Sequence, residues 1–412
     1  MNPRRVVVTG LGAVTTVGHG KEGLWQGIQR GRSGIQRISR FDASALRSQV
    51  AGEIHDFQVL EYFDSHRIKR VDRCAQMAMA VTKMAVEDAH LPYNREKPYP
   101  DIGVAFGTAL GGTPAAEEQH RVFLQHGIGV IKPSLAIQVF GGSGSSHIAI
   151  EFGFVGPSNA NSNSCASGTM AVGEGYRLIR EGRAKAMITG GAEAPLFPLT
   201  FGAFDVIKAM SQCNDAPELA CRPFDAQRDG FVMGEGAAAL VLEDLEHATA
   251  RGVPIYAEVL GYSNNNDGFH MTAPRPDASC CARCMRDTLA EARLSPVDIG
   301  YINAHASSTP LNDKTETLAI KQVFGEHARQ VPISGTKPFH SHALGASGAI
   351  EAVVCALALR HEYLPPTLNL RAPDPECDLD YVPNTGRQKR VDYILSNSFG
   401  FGGINACVVM GR

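Results

Sequence analysis

Cys165 stands in the run Asn161-Ser-Asn-Ser-Cys-Ala-Ser-Gly168, ahead of a helix-competent stretch, Thr169–Arg180, and an apolar strand-like one, Ala184–Thr189. A cysteine where a loop turns into a helix meets free backbone N–H groups and the positive end of the helix dipole. Both favour a thiolate, and the same N–H groups can bind an oxyanion. The small neighbours Ala166, Ser167 and Gly168 let a bulky substrate reach the sulfur and let the helix pack deep. Cys165 is therefore read as a candidate nucleophile, with an inert packing thiol as the plainer alternative.

Two histidine stretches follow in the second half: Asn303-Ala-His-Ala-Ser-Ser-Thr-Pro310 and Gly335-Thr-Lys-Pro-Phe-His-Ser-His-Ala-Leu-Gly-Ala-Ser-Gly348. His305 directly follows a strand-like run, and His342 is read as opening a small-residue helix, the placement expected for Cys165. Strand ends and helix starts are where catalytic groups collect in α/β folds. The chain has 14 histidines, so position rather than residue type singles these two out. His340 is read as structural.

The elements that must hold these groups alternate along the chain. Strand-like runs at Arg5–Thr9, Ile102–Phe106, Ala184–Thr189 and Ala237–Glu243 share the first half with a core-facing helix at Cys74–His90. The second half repeats the grammar, with strands expected at Tyr256–Leu260, Ile299–Asn303, Tyr393–Ser396 and Asn405–Met410. Helices are expected there at Ala278–Arg293, Asn312–Phe324 and Ala346–Arg360. Alternation of this kind implies mixed or parallel sheets covered by helices. The reading is a duplicated α/β architecture of two halves, residues 1–251 and 252–412. They divide near Gly252 and, with no linker between them, pack as one body.

Composition narrows the function classes. With 412 residues and 44% hydrophobic content the chain can bury a large core, and a net charge of −3 argues against a nucleic-acid binder. Ten cysteines without framework spacing, and no signal peptide at the start, point to a reducing cytoplasm. No apolar run reaches the length of a membrane span. The Cys281-Ala-Arg-Cys284 pair lacks a second ligand pair and is read as thiols on a helix face. Gly10-Leu11-Gly12 imitates a dinucleotide fingerprint, but Thr15 stands where its third glycine belongs, so no such cofactor is expected.

Five motifs in order resemble the β-ketoacyl-acyl-carrier-protein synthases of the elongating type II class: Ser-Cys165-Ala-Ser-Gly, Asn-Ala-His305-x-Ser-Ser-Thr-Pro, Thr-Lys337 with His342-x-Leu-Gly-Ala-x-Gly, and Ser398-Phe-Gly-Phe-Gly-Gly403, with the opening Val6-Val-Val-Thr-Gly-Leu-Gly12. The resemblance implies the thiolase fold, a duplicated five-layer αβαβα unit that dimerises. It implies that Cys165 takes an acyl group from a carrier-protein thioester, with an oxyanion hole from the N–H groups of Cys165 and Phe401. His305 and His342 would then stabilise the enolate formed when malonyl carrier protein loses CO₂. Lys337 would orient the site by pairing with Glu316, Ser307 and Thr309 would hold the pantetheine arm, and Leu110, Phe399 and Phe401 would shape or gate the acyl pocket. Acyl carrier protein is the implied partner, docking on a basic face at Arg67, Lys69, Arg70, Arg73 and Lys208; no metal or organic cofactor is implied.

Degradative thiolases use a second, C-terminal cysteine, and initiating synthases pair cysteine with histidine and asparagine; a Cys-His-His set favours decarboxylative elongation. Ala306, Ser341 and Ile404 depart from the family's usual glycine, glycine and threonine. These departures leave substrate preference open, as they do the choice between a fatty-acid enzyme, acting as a homodimer, and a polyketide or polyene ketosynthase subunit paired with a chain-length partner. A non-catalytic partner of the same fold is the reading from another class, and the retained Cys165, His305 and His342 argue against it. Leu110 and Met170 are expected to set pocket depth.

Overall fold

A computed structural model of the chain describes residues 3–64, 68 and 70–412. The first set of strands is β1 (Val6–Thr15), β2 (Ile102–Gly107), β3 (Ser158–Asn161), β4 (Ala186–Glu193) and β5 (Gly236–Asp244). The second is β6 (Ala257–Asn266), β7 (Tyr301–Asn303), β8 (Ile333–Ser334), β9 (Tyr393–Gly400) and β10 (Ile404–Gly411). Their orders, β3-β2-β4-β5-β1 and β8-β7-β9-β10-β6, match position by position. The directions match too: β2 runs parallel to β3 and β4 as β7 does to β8 and β9, and the remaining neighbours are antiparallel. Antiparallel pairing of Val6–Val8 with Ala257–Val259 joins the two sets edge to edge.

Helices α1 (Arg73–Asp88) and α3 (Ser279–Ala292) cover the outer faces, the former on β1 and β5, the latter on β6 and β10. Between the sheets lie α2 (Ser167–Arg180) and α5 (Ser347–His361), which touch each other and strands of both sets. Helix α4 (Pro310–Phe324) packs beside α3. This is the five-layer thiolase arrangement. Helix α5 is buried on every side from Ser347 to Leu359, as an all-round apolar sequence requires in the middle layer. By length and composition Leu344–His361 could cross a membrane, but 89% of it is buried inside the protein.

The strand boundaries show where glycine misleads. Gly10 and Gly12, read as the end of a strand, lie inside β1 because α1 presses on it. A Cβ at Gly10 would lie 2.1 Å from the Ala85 carbonyl oxygen, and one at Gly12 2.0 Å from that of Val81. The edge strand β3, Ser-Asn-Ala-Asn, is polar and mostly exposed, so it carries no hydrophobic signal.

Candidate active site

Cys165 lies in a tight turn, Ser164–Ala166, that leads directly into α2. Ser164 adopts a left-handed φ of 54°, so the chain turns sharply just before the sulfur. Burial pushes the Cys165 thiol up from its ordinary value, while an N–H from Phe401, the nearby Lys337 ammonium and the Ser164 hydroxyl pull it back towards thiolate. The Phe401 N–H thus reaches the sulfur from the glycine turn between β9 and β10.

The second half repeats the device, with a difference. The turn Leu344–Ala346 leads into α5 as Ser164–Ala166 leads into α2, and Gly345-Ala-Ser-Gly348 occupies the place of Cys165-Ala-Ser-Gly168. The counterpart of Cys165 is therefore Gly345. His342 does not open the helix but lies in the segment before it, held by its own N–H to the Val232 carbonyl (2.8 Å) and its carbonyl to the Gly234 N–H (3.0 Å). From there His342 Nε2 lies 3.2 Å from Cys165 Sγ, and Nδ1 lies 2.8 Å from Ser347 Oγ.

His305 follows β7, its ring centroid 5.4 Å from that of His342 and the planes at 78°. Glu316 fixes its backbone, accepting the N–H groups of His305 and Ala306 at 2.9 Å each. Behind the ring, the Lys337 ammonium donates to the His305 carbonyl and lies 3.4 Å from Nδ1. An ammonium can only donate, so it leaves Nδ1 bare and places the proton on Nε2, facing the cavity. Burial and the Lys337 charge hold His305 and His342 well below the usual imidazole value, so both are neutral.

The expected Lys337–Glu316 pair is corrected. Lys337 pairs with Glu351 of α5, Nζ to Oε1 at 2.5 Å, because both Glu316 oxygens already serve the backbone after β7. Glu351 is the one charge in the long apolar stretch of α5 before its last turn, and that isolation is the signal by which the sequence marks it. A third buried carboxylate, Glu193, ends β4 and accepts N–H groups from Ala109 (2.6 Å), Leu110 (3.1 Å) and Gly345 (3.1 Å). Burial raises Glu193, Glu316 and Glu351 each to about 7.

A cavity of about 620 Å³ opens onto Cys165, His305 and His342. Ser307, Thr309, Leu110, Phe399, Phe401 and Lys208 line it, while Met170 packs into the central core instead. Ser307 and Thr309 hydroxyls lie 2.9 Å apart, ready for a polar guest. Phe401 stacks on Phe204 at 6.3 Å and meets Phe231 edge-on; Phe231 in turn meets His342. Phe204 and Phe231 belong to this aromatic wall and were not singled out by sequence, since core phenylalanines look the same.

The basic face divides. Arg70 and Lys208 are exposed, the latter at the cavity mouth. Arg73 instead binds the buried Glu235 (Nη2 to Oε2, 2.9 Å), which also receives Arg40. Arg67 and Lys69 lie outside the described residues.

Among the described residues, Cys165, His305 and His342 form the group with metal-ligand spacing, their donor atoms within 4.8 Å of one another. Lys337 opposes that use, because it keeps the His305 Nε2 lone pair occupied by a proton. The set offers one nucleophilic sulfur and hydrogen-bond donors converging on one small volume.

Comparison with known proteins agrees with this chemistry. The β-ketoacyl synthase N-terminal domain matches residues 3–248 and the C-terminal domain residues 256–371. The chain is 46% identical to the 3-oxoacyl-[acyl-carrier-protein] synthase 2 of Synechocystis sp., over 98% of this chain and 97% of that one. To the synthase 2 of Coxiella burnetii it is 42% identical, over 100% and 99%. A solved ketosynthase bound to its type II PKS acyl-carrier protein and a hexaketide superposes with a TM-score of 0.92 at 36% identity, covering both chains fully. With residues 3–248 and 256–371 matched in order and relatives aligned over nearly its whole length, the chain belongs to the β-ketoacyl synthase family.

Proposed function

We propose that this protein elongates fatty acids by decarboxylative Claisen condensation of an acyl group with malonyl-acyl-carrier protein. Cys165 attacks the thioester of acyl-carrier protein as a thiolate, and the proton its thiol gives up passes to the carrier's sulfur as that leaves. N–H groups of Cys165 and Phe401 hold the oxyanion. Malonyl carrier protein then loses its carboxylate as CO₂, and the electron pair of the broken C–C bond passes into an enolate. The Nε2–H of His305 and of His342 stabilise that enolate, the Ser347 hydroxyl donating to His342 Nδ1 so that its proton also sits on Nε2. The enolate carbon attacks the acyl-cysteine carbonyl, a C–C bond forms, and the Cys165 thiolate leaves. These steps balance with the side chains alone, without metal or organic cofactor.

The observation that carries the reading is the 3.2 Å approach of His342 to Cys165 beside a His305 whose tautomer Lys337 fixes. Ser307 and Thr309 are assigned to the pantetheine arm, Leu110 and Phe399 to the acyl pocket, Phe401 to its gate, and Arg70 and Lys208 to docking the acidic carrier. The exposed edge β3, together with the exposed apolar side chains of Val139 and Phe140, supports pairing with a second copy as a homodimer. Ten free thiols go with a reducing cytoplasm.

Incubating the purified protein with acyl carrier proteins of several lengths and then malonyl carrier protein tests this: a 3-ketoacyl product without a second subunit is expected. The structural likeness to a type II PKS ketosynthase favours one other reading, a subunit needing a chain-length partner. Acylation of Cys165 without product would select it.

A further inference from the structure

Ser341, immediately before His342, has φ 63° and ψ −176°, a combination that glycine alone adopts without strain. Such a residue persists only where its surroundings over-determine it. Here they do so from both sides. Its side chain sits in a slot cleared by two glycines: a Cβ at Gly52 would lie 2.2 Å from Ser341 Oγ, and one at Gly234 1.8 Å. Its hydroxyl donates to the His340 carbonyl. Its own carbonyl lies 2.9 Å from His340 Nδ1, and as a carbonyl can only accept, Nδ1 carries the proton. His340 Nε2 is then the acceptor for the Thr336 hydroxyl at 3.1 Å. Burial first, and Lys337 second, hold His340 down to about 3, so the ring remains neutral with this tautomer.

We infer that His340 and Ser341 are positioning residues for His342: the His340 imidazole latches the strained Ser341 peptide and thereby sets where the His342 ring meets Cys165. The peptide cannot relax without moving His342, whose N–H and carbonyl are bound to the strand-like segment Val232–Gly234. Where a glycine would hold this shape unaided, the present chain carries a side chain and a second histidine that restrains it. The inference rests on the condensation reading for its kinetic consequence, but not for its geometric one.

The test is a pair of variants of the full chain, His340→Ala and His340→Ala with Ser341→Gly. Two rates are read: decarboxylation of malonyl carrier protein, and alkylation of Cys165 by iodoacetamide followed by intact mass, which needs no substrate. His340→Ala is expected to slow decarboxylation on the order of ten-fold or more, as misplacement of a catalytic group does, and to slow alkylation because His342 no longer supports the thiolate. Adding Ser341→Gly is expected to recover most of both, since glycine holds the conformation without a latch. A merely space-filling His340 would leave a loss that Ser341→Gly does not recover, and that result, or no loss in His340→Ala, overturns the inference. Should His340→Ala fail to fold, His340→Asn keeps an N–H donor and is expected to retain both rates better than His340→Leu, which keeps bulk alone; the reverse order overturns it. A wild-type chain that does not decarboxylate would instead contradict the condensation reading, while the alkylation rates still decide the latch.

Discussion

The ammonium of Lys337 and the carboxylate of Glu351 meet at 2.5 Å with neither side chain exposed to solvent. The pair anchors the cation that selects the His305 tautomer, so the middle-layer helix α5 acts on the chemistry through one carboxylate. Removing one partner of a buried pair leaves a lone charge, at about 3–5 kcal/mol. Glu351→Ala is expected to lose stability of that order in urea unfolding, and Glu351→Gln less.

Lys337→Ala removes the donor behind His305 Nδ1 and lets the proton leave Nε2. Decarboxylation of malonyl carrier protein is expected to fall by about 10²-fold or more, with acylation of Cys165 falling less. Stopped assays of the two half-reactions separate these effects, and equal losses in both would remove Lys337 from this role.

Stability should carry a signature of the buried carboxylates. Glu193 titrates at about 7 in the folded protein and near 4.5 as its reference value. The folded state therefore binds the extra proton between these values, and this group's contribution falls as pH rises from 4.5 to about 7. The neutral histidines act in the opposite sense: their lowered values make the unfolded chain the proton acceptor below 6.5, so their contribution is lost as pH falls. Glu193→Gln deletes only the first trend. Its stability relative to wild type is expected to improve as pH is raised from 5 to 7.5, measured by thermal unfolding across that range.

Arg70→Glu with Lys208→Glu is expected to raise the KM for carrier-protein substrates by about ten-fold at low salt, the effect shrinking as salt screens the charges. Arg73→Glu is expected to behave differently. It breaks the contact with buried Glu235 and should lower stability rather than affect docking alone.

Much of the fold was legible because its helices and buried strands carry clear apolar periodicity, as at Ala278–Arg293, where α3 forms one residue inside each end. What escaped was set by tertiary contact. Gly10 and Gly12 read as the end of a strand, yet the strand runs on through them to Thr15, and they are glycine because a helix lies too close for a Cβ. Cys165, His305 and His342 could be found from their motifs, but the carboxylate serving Lys337 could not be chosen between two buried glutamates until their other partners were seen. Arg73 looked like one more surface cation in a basic stretch; only the fold brings Glu235, 162 residues away, against it. The Ala-Ser-Gly repeat after Cys165 and after Gly345 was on the page of the sequence, yet its meaning depends on the two helices meeting in the middle layer.

The central claim divides the chemistry between a sulfur that carries the acyl group and two histidines that release CO₂. The most direct measurement is intact mass and CO₂ release for Cys165→Ala, His305→Ala and His342→Ala, each given acyl and malonyl carrier proteins. The account predicts that Cys165→Ala gains no acyl mass yet still releases CO₂, while each histidine variant gains the acyl mass and releases CO₂ about 10²–10³-fold more slowly. An acyl adduct on Cys165→Ala, or normal CO₂ release by both histidine variants, would contradict it.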